Sequence, residues 1–198
     1  MPRLVLASTS PRRRELLGAL GLPFDIVPSD FDEGSVPVDA LRPGEWVMRL
    51  AEGKARAVAA RTEGHALIIG ADTTVVLGGD ILNKPKDDDD ARRMLRRLGS
   101  QTHTVCTGLC LVETQANAIV RAARNFAQTQ VTFAPLSEAV IDAYVATGEP
   151  RDKAGAYGIQ GKALAFIPGI QGDYFNVVGL PLFLLCQMLG GWGMSPWQ

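Results

Sequence analysis

Cysteine and histidine are scarce in this sequence, which limits the kinds of site that it can contain. The three cysteines are an odd number, and the Cys106-x3-Cys110 spacing, with Cys186 far along the chain, matches neither a disulfide framework nor a zinc ribbon. His103 precedes Cys106 closely enough to raise the question of zinc, but we interpret the cysteines as small apolar side chains on one face of a strand. Because the chain has only two histidines, general-base catalysis by histidine has little support.

The sequence also lacks a large excess of charge and a long apolar run. Its formal net charge is -1, so it has no broad basic field for nonspecific nucleic-acid binding, and we expect no nucleic-acid partner. No apolar run approaches the roughly 20 residues that a membrane-spanning helix needs. Met1-Pro2-Arg3 leads directly into a predicted strand, without the apolar region of a signal peptide. These absences predict a cytoplasmic protein with no membrane partner.

Three common catalytic motifs are missing as well. The segment that ends in Gly161-Lys162 has a glycine spacing one residue too long for a P-loop, and Ala163 stands where a Ser or Thr must bind magnesium. Asp72-Thr73-Thr74 lacks the second aspartate of phosphatases that form an aspartyl phosphate. No Gly-x-Ser-x-Gly segment is present. We therefore exclude Walker-type nucleotide binding, a covalent phosphoenzyme and the common hydrolase triad.

Length and composition predict a single domain that spans residues 1–198. A chain of 198 residues with 46% hydrophobic content can bury a sizeable core. In its first half we predict strands at 4–7 and 68–77, a helix from Pro11 to about Leu20 with Ser10 as N-cap, and a helix from about Pro43. Residues 23–37 are predicted to be irregular and acidic.

The second half is predicted to begin with a hairpin turn at Gly78-Gly79-Asp80. The four aspartates at 87–90 follow, and because they begin an amphipathic helix whose arginines come later, they complement the helix dipole rather than form a metal site. The remaining strands are predicted at 102–112, 127–133 and 174–178. The remaining helices are predicted at 137–146, with Ser137 as N-cap, and at 181–188. A connection is predicted at 117–124 and a glycine-rich loop at 147–162.

Asp72 is the residue on which the functional hypothesis depends. It lies within Ile68–Val76, an apolar, β-branched run that is typical of a buried strand. A carboxylate in such a strand is costly unless a cation or a metal compensates its charge, so Asp72 requires a partner. The predicted hairpin returns Lys84 toward the start of the strand, and Asp72 and Lys84 can therefore face one site.

Other basic residues precede Asp72 in the sequence. Lys54 falls within the apolar stripe of its predicted helix, where its ammonium group either extends to solvent or neutralises a buried anion. Arg12, Arg13 and Arg14 occupy the first turn of the first helix, where the dipole already places partial positive charge. They either surround an anion or point into solvent. An isolated acid among basic residues indicates a site for polyphosphate and metal.

Five segments, in the expected order, resemble the Maf family of nucleoside triphosphate pyrophosphatases. They are Leu6-Ala7-Ser8-Thr9-Ser10-Pro11-Arg12-Arg13, Gly70-Ala71-Asp72-Thr73, Lys84-Pro85, Asp152-Lys153-Ala154-Gly155-Ala156-Tyr157-Gly158-Ile159-Gln160-Gly161 and Val177-Val178-Gly179-Leu180-Pro181. The resemblance extends over essentially the whole chain. The Ala-Asp-Thr and Ala-Tyr-Gly-Ile-Gln-Gly segments are similar to the subgroup that acts on dTTP and UTP, rather than to the sister subgroup associated with 7-methyl-GTP.

The resemblance implies both a fold and an activity. The expected fold is α/β, a mixed twisted sheet flanked by helices with two lobes around a cleft, similar to the inosine triphosphate pyrophosphatases. The expected reaction converts dTTP, UTP and modified pyrimidine nucleotides to the nucleoside monophosphate and pyrophosphate. It would use a divalent metal, Mg2+ or Mn2+, and the family often forms a homodimer.

The resemblance also assigns roles to individual residues. Asp72 matches the catalytic acid or base, and with Glu33 it is expected to hold the metal. Phosphate or metal-site positions are matched by Ser8, Arg12, Arg13, Glu33, Lys54 and Lys84. Positions linked to base selection are matched by Arg12, Thr73 and Gln160. The sequence leaves open whether Asp72 or Glu33 activates the attacking water.

Two alternative functions compete with this hypothesis. A nucleotide-binding regulator of septum formation, without relevant catalysis, would keep the same pocket. A nucleic-acid-binding role would use the arginine clusters at 12–14 and 92–97. The near-neutral net charge and the lack of interleaved aromatic residues argue against that second role.

Overall fold

The computed structural model describes residues 2–38 and 41–195 and has a mixed α/β fold. Within these residues one sheet contains the strands β1 (Arg3–Leu6), β2 (Phe24–Ile26), β3 (Ala66–Leu77), β4 (Asp80–Leu82), β5 (Thr102–Gln115), β6 (Ala118–Thr132) and β7 (Gly169–Gln171). The helices are α1 (Pro11–Gly18), α2 (Pro43–Ala59), α3 (Asp88–Leu98), α4 (Glu138–Ala146), α5 (Tyr174–Val178) and α6 (Leu182–Gly190). Among the helices of the described residues, none is long and apolar enough to cross a membrane.

The sheet mixes parallel and antiparallel strands, in the order β2-β1-β3-β5-β6-β7 with β4 beside β3. β1 is parallel to β2 and to β3, with Leu4 opposite Phe24 on one side and Leu67 on the other. Parallel strands require crossover connections, and α1 and α2 lie within the connections between β1, β2 and β3. β4 is antiparallel to β3, and β7 is antiparallel to β6. The predicted mixed sheet flanked by helices is confirmed.

The chain divides into two compact units, and each has its own core. The first unit comprises the chain up to Asp72, the segment Thr107–Ala127 and the chain from Gly179. The second unit comprises Thr73–Cys106 and Gln128–Val178. The interpretation of residues 1–198 as one domain stays a prediction.

The core of the first unit lies between α2 and the strands beside it. The residues of the apolar stripe of α2 are buried: Trp46, Val47, Leu50, Ala51, Ala55 and Val58. Ala51 and Ala55 pack with Ile68 of β3 in one apolar cluster. Gly70 permits this close approach, because a Cβ atom at its position would overlap the carbonyl oxygen of Ala51.

The core of the second unit lies around α3, α4 and the glycine-rich segment. In α3 the apolar residues are buried and the arginines lie on its other side, as the amphipathic pattern predicted. The side chain of Asp87 accepts a hydrogen bond from the Asp90 amide, so the aspartate run caps the helix. Phe133 contributes an aromatic centre, with its ring edge-on to those of Tyr157 and Phe166.

Helix starts were predicted well because their signals are local. Ser10 accepts a hydrogen bond from the Arg13 amide with Pro11 in the first turn, and Ser137 accepts one from the Val140 amide. Helix ends were predicted less well. α1 ends at Gly18, before the predicted end near Leu20, although the chain does turn at Gly21 with a φ of 70°.

Two predictions of secondary structure were wrong. Tyr174–Val178 forms the short helix α5 and not a strand. The segment contains two aromatic residues and two valines, which favour a strand. However, the Asp173 side chain accepts from the Phe175 amide, and the buried Asn176 side chain donates to the Val105 carbonyl. These contacts favour the helix over the local strand preference.

The second error concerns the long strand β6. It begins at Ala118 and not at 127, and its connection to β5 is the two-residue turn Ala116-Asn117 instead of 117–124. Both turn residues have positive φ, as two-residue hairpins require. The first five residues of β6 are exposed, so no alternating pattern marks the strand. The strands β2 and β7, three residues each, were missed because they are too short to show a pattern.

Replacement of Gly70 by alanine tests the packing between α2 and β3. We expect Gly70→Ala to lower the free energy of unfolding by ~2 kcal/mol, because the added methyl overlaps the Ala51 carbonyl and must displace α2. Denaturant titration followed by circular dichroism measures the change. Gly18→Ala is the matched control, since nothing apart from its chain neighbours and the backbone of α1 itself lies within 4 Å of a Cβ atom there. Equal stability of the two variants would contradict the packing.

Candidate active site

Lys54 brings two carboxylates together in the first unit. Its Nζ atom lies 2.5 Å from Asp72 Oδ1 and 2.7 Å from Glu33 Oε1. The side chains of Asp72 and Lys54 are only 11% and 13% exposed, whereas that of Glu33 is 56% exposed. Of the two alternatives for Lys54, neutralisation of a buried anion is therefore the one that the structure adopts.

The position of Asp72 alters its acidity. Burial removes water from the carboxylate and raises the pKa of Asp72, while the positive charges of Lys54 and Arg13 act in the opposite direction. Glu33 adds a smaller effect that raises the pKa again. A carboxyl group whose pKa is raised is a better proton acceptor once it is ionised, which suits it to general-base chemistry.

Arg13 extends from α1 toward the same acids. Its Nε donates to the carbonyl oxygen of Gly179 at 2.8 Å, and its Nη1 lies 3.4 Å from the Oγ of Ser8. Burial lowers the pKa of Arg13, and the nearby charge of Asp72 opposes that effect. Ser8 is itself buried, and its hydroxyl accepts a hydrogen bond from the Ser10 amide.

The three arginines of α1 do not share one environment. Arg12 and Arg13 are half-buried, and Arg14 is exposed. The first turn of α1 therefore combines a guanidinium group that is held by the Gly179 carbonyl with one that points into solvent. The predicted residues Ser8, Arg13, Glu33, Lys54 and Asp72 are linked by direct contacts or nearby charge within the first unit.

The remaining predicted residues, Thr73, Lys84 and Gln160, belong to the second unit. Thr73 is half-buried on β3, and Lys84 follows β4 with an exposed side chain. Asn83, just before Lys84, holds this segment in place. Its side chain accepts from the Thr74 hydroxyl at 3.3 Å, and its carbonyl accepts from the Gly155 amide at 3.2 Å.

The sequence gives no signal for two partners, one of Arg13 and one of His103. The Gly179 carbonyl, which binds Arg13, lies in a segment that the sequence marks only by its motif. A backbone acceptor leaves no side-chain signal in a sequence. Tyr157 was likewise noted only as part of a motif, yet its hydroxyl lies 2.7 Å from Nε2 of the buried His103.

The cysteines and His103 do not form a metal centre in the described part of the chain. Cys106 and Cys110 are buried on β5, as their interpretation as small apolar side chains predicted. Burial lowers the pKa of His103 to about 4, so the imidazole that contacts Tyr157 is neutral at pH 7. Among residues 2–38 and 41–195, no group of three or more His, Cys, Asp or Glu side chains is arranged to hold a metal ion.

Glu33 and Asp72 have the chemistry to share a divalent cation with a substrate. Each places one carboxylate oxygen against the Lys54 ammonium, at 2.7 and 2.5 Å, so the two carboxylates are close neighbours. Mg2+ is commonly held by one or two carboxylates while water and substrate phosphates complete its coordination. Two converging carboxylates therefore fit a metal of this type without a third protein ligand.

The architecture identifies a class of fold, and the sequence identifies a family. The structure is similar to that of the Ham1 protein of Staphylococcus aureus, with a TM-score of 0.54 over 96% of this chain and 98% of the other. Their sequences are 14% identical, so this likeness concerns the fold alone. Residues 3–192 match the family model described as Maf-like protein, and the chain belongs to the Maf family.

Full-length relatives share about half of the sequence. A protein of Anaeromyxobacter dehalogenans named dTTP/UTP pyrophosphatase is 50% identical over 198 residues, which cover 100% of this chain and 98% of the relative. A protein of Moorella thermoacetica with the same name is 52% identical over 202 residues, with the same coverage of both chains. The resemblance inferred from the motifs is confirmed.

A double-mutant cycle tests the buried pair of Lys54 and Asp72. We expect Lys54→Met to lower the free energy of unfolding by ~3 kcal/mol, because it leaves a buried carboxylate without its nearest cation. Addition of Asp72→Asn should recover part of this loss, which denaturant titration at pH 8 can measure. The exposed pair Glu52 and Arg56 serves as the control, with an expected coupling of about 0.5 kcal/mol or less. Strictly additive effects at Lys54 and Asp72 would contradict the pairing.

Proposed function

We propose that this protein hydrolyses dTTP and UTP to the nucleoside monophosphate and pyrophosphate. The observation that carries the proposal is the convergence of Asp72 and Glu33 on one ammonium group, in a chain whose full-length relatives are named dTTP/UTP pyrophosphatase. Such a reaction needs a positioned water, neutralised phosphate charge and a pyrophosphate leaving group. It needs no covalent nucleophile, in agreement with the absence of the corresponding motifs from the sequence.

In this proposal Asp72 is the general base. Burial raises the pKa of Asp72, which makes its carboxylate a stronger base toward the proton of water. Lys54 holds one of its oxygens, Oδ1, and thereby orients the group. Glu33, which is mostly exposed, shares the same ammonium and serves as the second metal ligand.

Divalent metal use is part of the proposal. Glu33 and Asp72 would hold Mg2+ or Mn2+, which when bound polarises a phosphate oxygen and lowers the pKa of a coordinated water. Phosphate charge would also be neutralised by cationic and hydroxyl groups of this chain, namely Ser8, Arg12, Arg13, Lys54 and Lys84. The fixed geometry of Arg13, bound to the Gly179 carbonyl, suits it to hold a phosphate without reorganisation.

Selection of the base is assigned to Arg12, Thr73 and Gln160. Gln160 is exposed and Thr73 is half-buried, and both have donor and acceptor atoms that can match a pyrimidine edge. A cytoplasmic location and a homodimer complete the proposal. Modified pyrimidine nucleotides are included in the substrate class, which would make the enzyme a remover of unwanted nucleotides.

A panel of nucleoside triphosphates tests the proposed function. With Mg2+ or Mn2+ present, pyrophosphate release should be fastest with dTTP and UTP and slower with ATP and GTP. The regulator of septum formation considered above predicts nucleotide binding without pyrophosphate release. Absence of release from every triphosphate with either metal would therefore refute the enzymatic proposal.

The role of Asp72 can be tested by an isosteric substitution. Asp72→Asn should reduce kcat on the order of a hundredfold or more, because the amide cannot accept the proton of water. Pyrophosphate release measures kcat, and circular dichroism checks that the fold is retained. Asp80→Asn is the matched control, since Asp80 pairs with Arg97 at 2.6 Å and is exposed. Near wild-type turnover by Asp72→Asn would remove Asp72 from the mechanism.

The role of Lys84 can be separated from stability. Lys84→Ala should raise the KM for dTTP about tenfold, the effect of losing one hydrogen bond to a charged group. Its melting temperature should stay unchanged because the side chain is exposed. Lys86→Ala, two residues away and also exposed, should alter neither quantity. A large fall in melting temperature with an unchanged KM would show that Lys84 is structural.

A further inference from the structure

Gly158–Gly161 forms a tight turn in the second unit, and Gln160 is its exposed third residue. The Gly161 amide donates to the Gly158 carbonyl oxygen at 3.0 Å, which closes the turn. A turn of four residues has few internal contacts that could hold its conformation. The conformation of the turn therefore depends on the groups that bind its ends.

Two side chains bind the two ends. The Gly158 amide donates to the hydroxyl of Tyr144 at 3.2 Å, and this hydroxyl donates to Glu149 Oε1 at 2.8 Å. The other carboxylate oxygen, Glu149 Oε2, accepts from the Lys162 amide at 2.9 Å, one residue beyond the turn. We refer to Tyr144 and Glu149 as the turn clamp.

The turn clamp is itself held in place. Tyr144 is buried at the end of α4, with its ring edge-on to Phe166 at 5.2 Å. Burial, followed by the hydrogen bond to Glu149, raises the pKa of Tyr144, so its hydroxyl keeps its proton and can donate. The backbone carbonyl of Glu149 accepts from Lys153 Nζ at 2.7 Å, which fixes the start of the carboxylate side chain.

Gly161 allows the carboxylate to lie against the turn. A Cβ atom at this position would overlap the carboxylate of Glu149, so only glycine permits the contact. A carboxylate suits the clamp because each of its oxygens accepts one hydrogen bond from a different donor. A glutamine side chain has the same size but a single acceptor oxygen, so it would accept from only one of these two donors.

We propose that the turn clamp positions Gln160 for selection of the base, which makes Tyr144 and Glu149 specificity-determining positioning residues. This inference rests on the proposed function, in which Gln160 contacts the pyrimidine of the substrate. The two residues act through the turn. Loss of either releases one end of it, and Gln160 then loses its fixed position.

Steady-state kinetics of Glu149→Gln and Tyr144→Phe test the inference. For dTTP and UTP we expect kcat/KM to fall about tenfold, mainly through KM, as for the loss of one hydrogen bond to the base. For ATP and GTP we expect kcat/KM to change by less than about twofold. The ratio of kcat/KM for pyrimidine over purine nucleotides should therefore fall. Glu138→Gln on α4, which breaks an exposed pair with Arg96, is the matched control and should keep the wild-type preference.

Two measurements keep this test separate from the proposed function. Hydrogen exchange at the Gly158 and Lys162 amides should become faster in both clamp variants. Calorimetry with uncleavable α,β-imido analogues of dTTP and GTP reports base preference without turnover. If the wild-type protein releases no pyrophosphate, the proposed function fails, and the preference in binding still decides the role of the clamp.

The turn clamp has no role in selection if the variants keep the wild-type preference in both kcat/KM and binding, even with a lower melting temperature. The same conclusion follows if the wild-type protein binds the two analogues equally. A narrowed preference in both clamp variants, with Glu138→Gln unchanged, establishes the role.

Discussion

The ion pair between Lys54 and Asp72 is the constraint on which the first unit depends. A carboxylate in the middle of a strand with apolar neighbours is strongly destabilising unless a cation lies against it. The ammonium of Lys54 lies 2.5 Å from Asp72 Oδ1, and its side chain is almost as buried as that of its partner. Helix α2 must therefore be placed so that Lys54 reaches β3, and the glycine at position 70 allows that approach.

The ion pair of Lys54 and Asp72 also explains why further charged residues lie beside it. The ammonium of Lys54 cannot occupy all the acceptor sites of the Asp72 carboxylate. The same ammonium also binds Glu33, at 2.7 Å. Arg13 adds a second positive charge, and its guanidinium group is fixed by the Gly179 carbonyl at 2.8 Å. In the proposed reaction these two acids and two bases would offer oxygens to a cation and donors to a polyphosphate. Stability and the proposed chemistry would then require the same residues.

The second unit meets a different requirement. Its glycine-rich segment contributes only a few side chains, such as Tyr157, to the core, so hydrogen bonds to neighbouring elements also fix it. His103 binds Tyr157, Tyr144 binds the Gly158 amide, and Glu149 binds the Lys162 amide. These polar contacts lie beside the apolar core that α3, α4 and the aromatic rings form. An exposed residue such as Gln160 can therefore have a defined position.

The sequence by itself determined the features that depend on near neighbours along the chain. The caps at Ser10 and Ser137, the buried face of α2 and the need of Asp72 for a cation all follow from spacing and residue type. The ordered motifs likewise sufficed to indicate the family.

Only the tertiary structure decided the features that the local sequence leaves open or predicts wrongly. It directs Lys54 toward Asp72 instead of solvent and turns Arg13 inward while Arg14 stays exposed. It also makes Tyr174–Val178 a helix despite its aromatic residues and valines, which favour a strand. In each case the outcome depends on a partner distant in sequence, such as the Gly179 carbonyl or the Val105 carbonyl, and local propensity contains no information about such a partner.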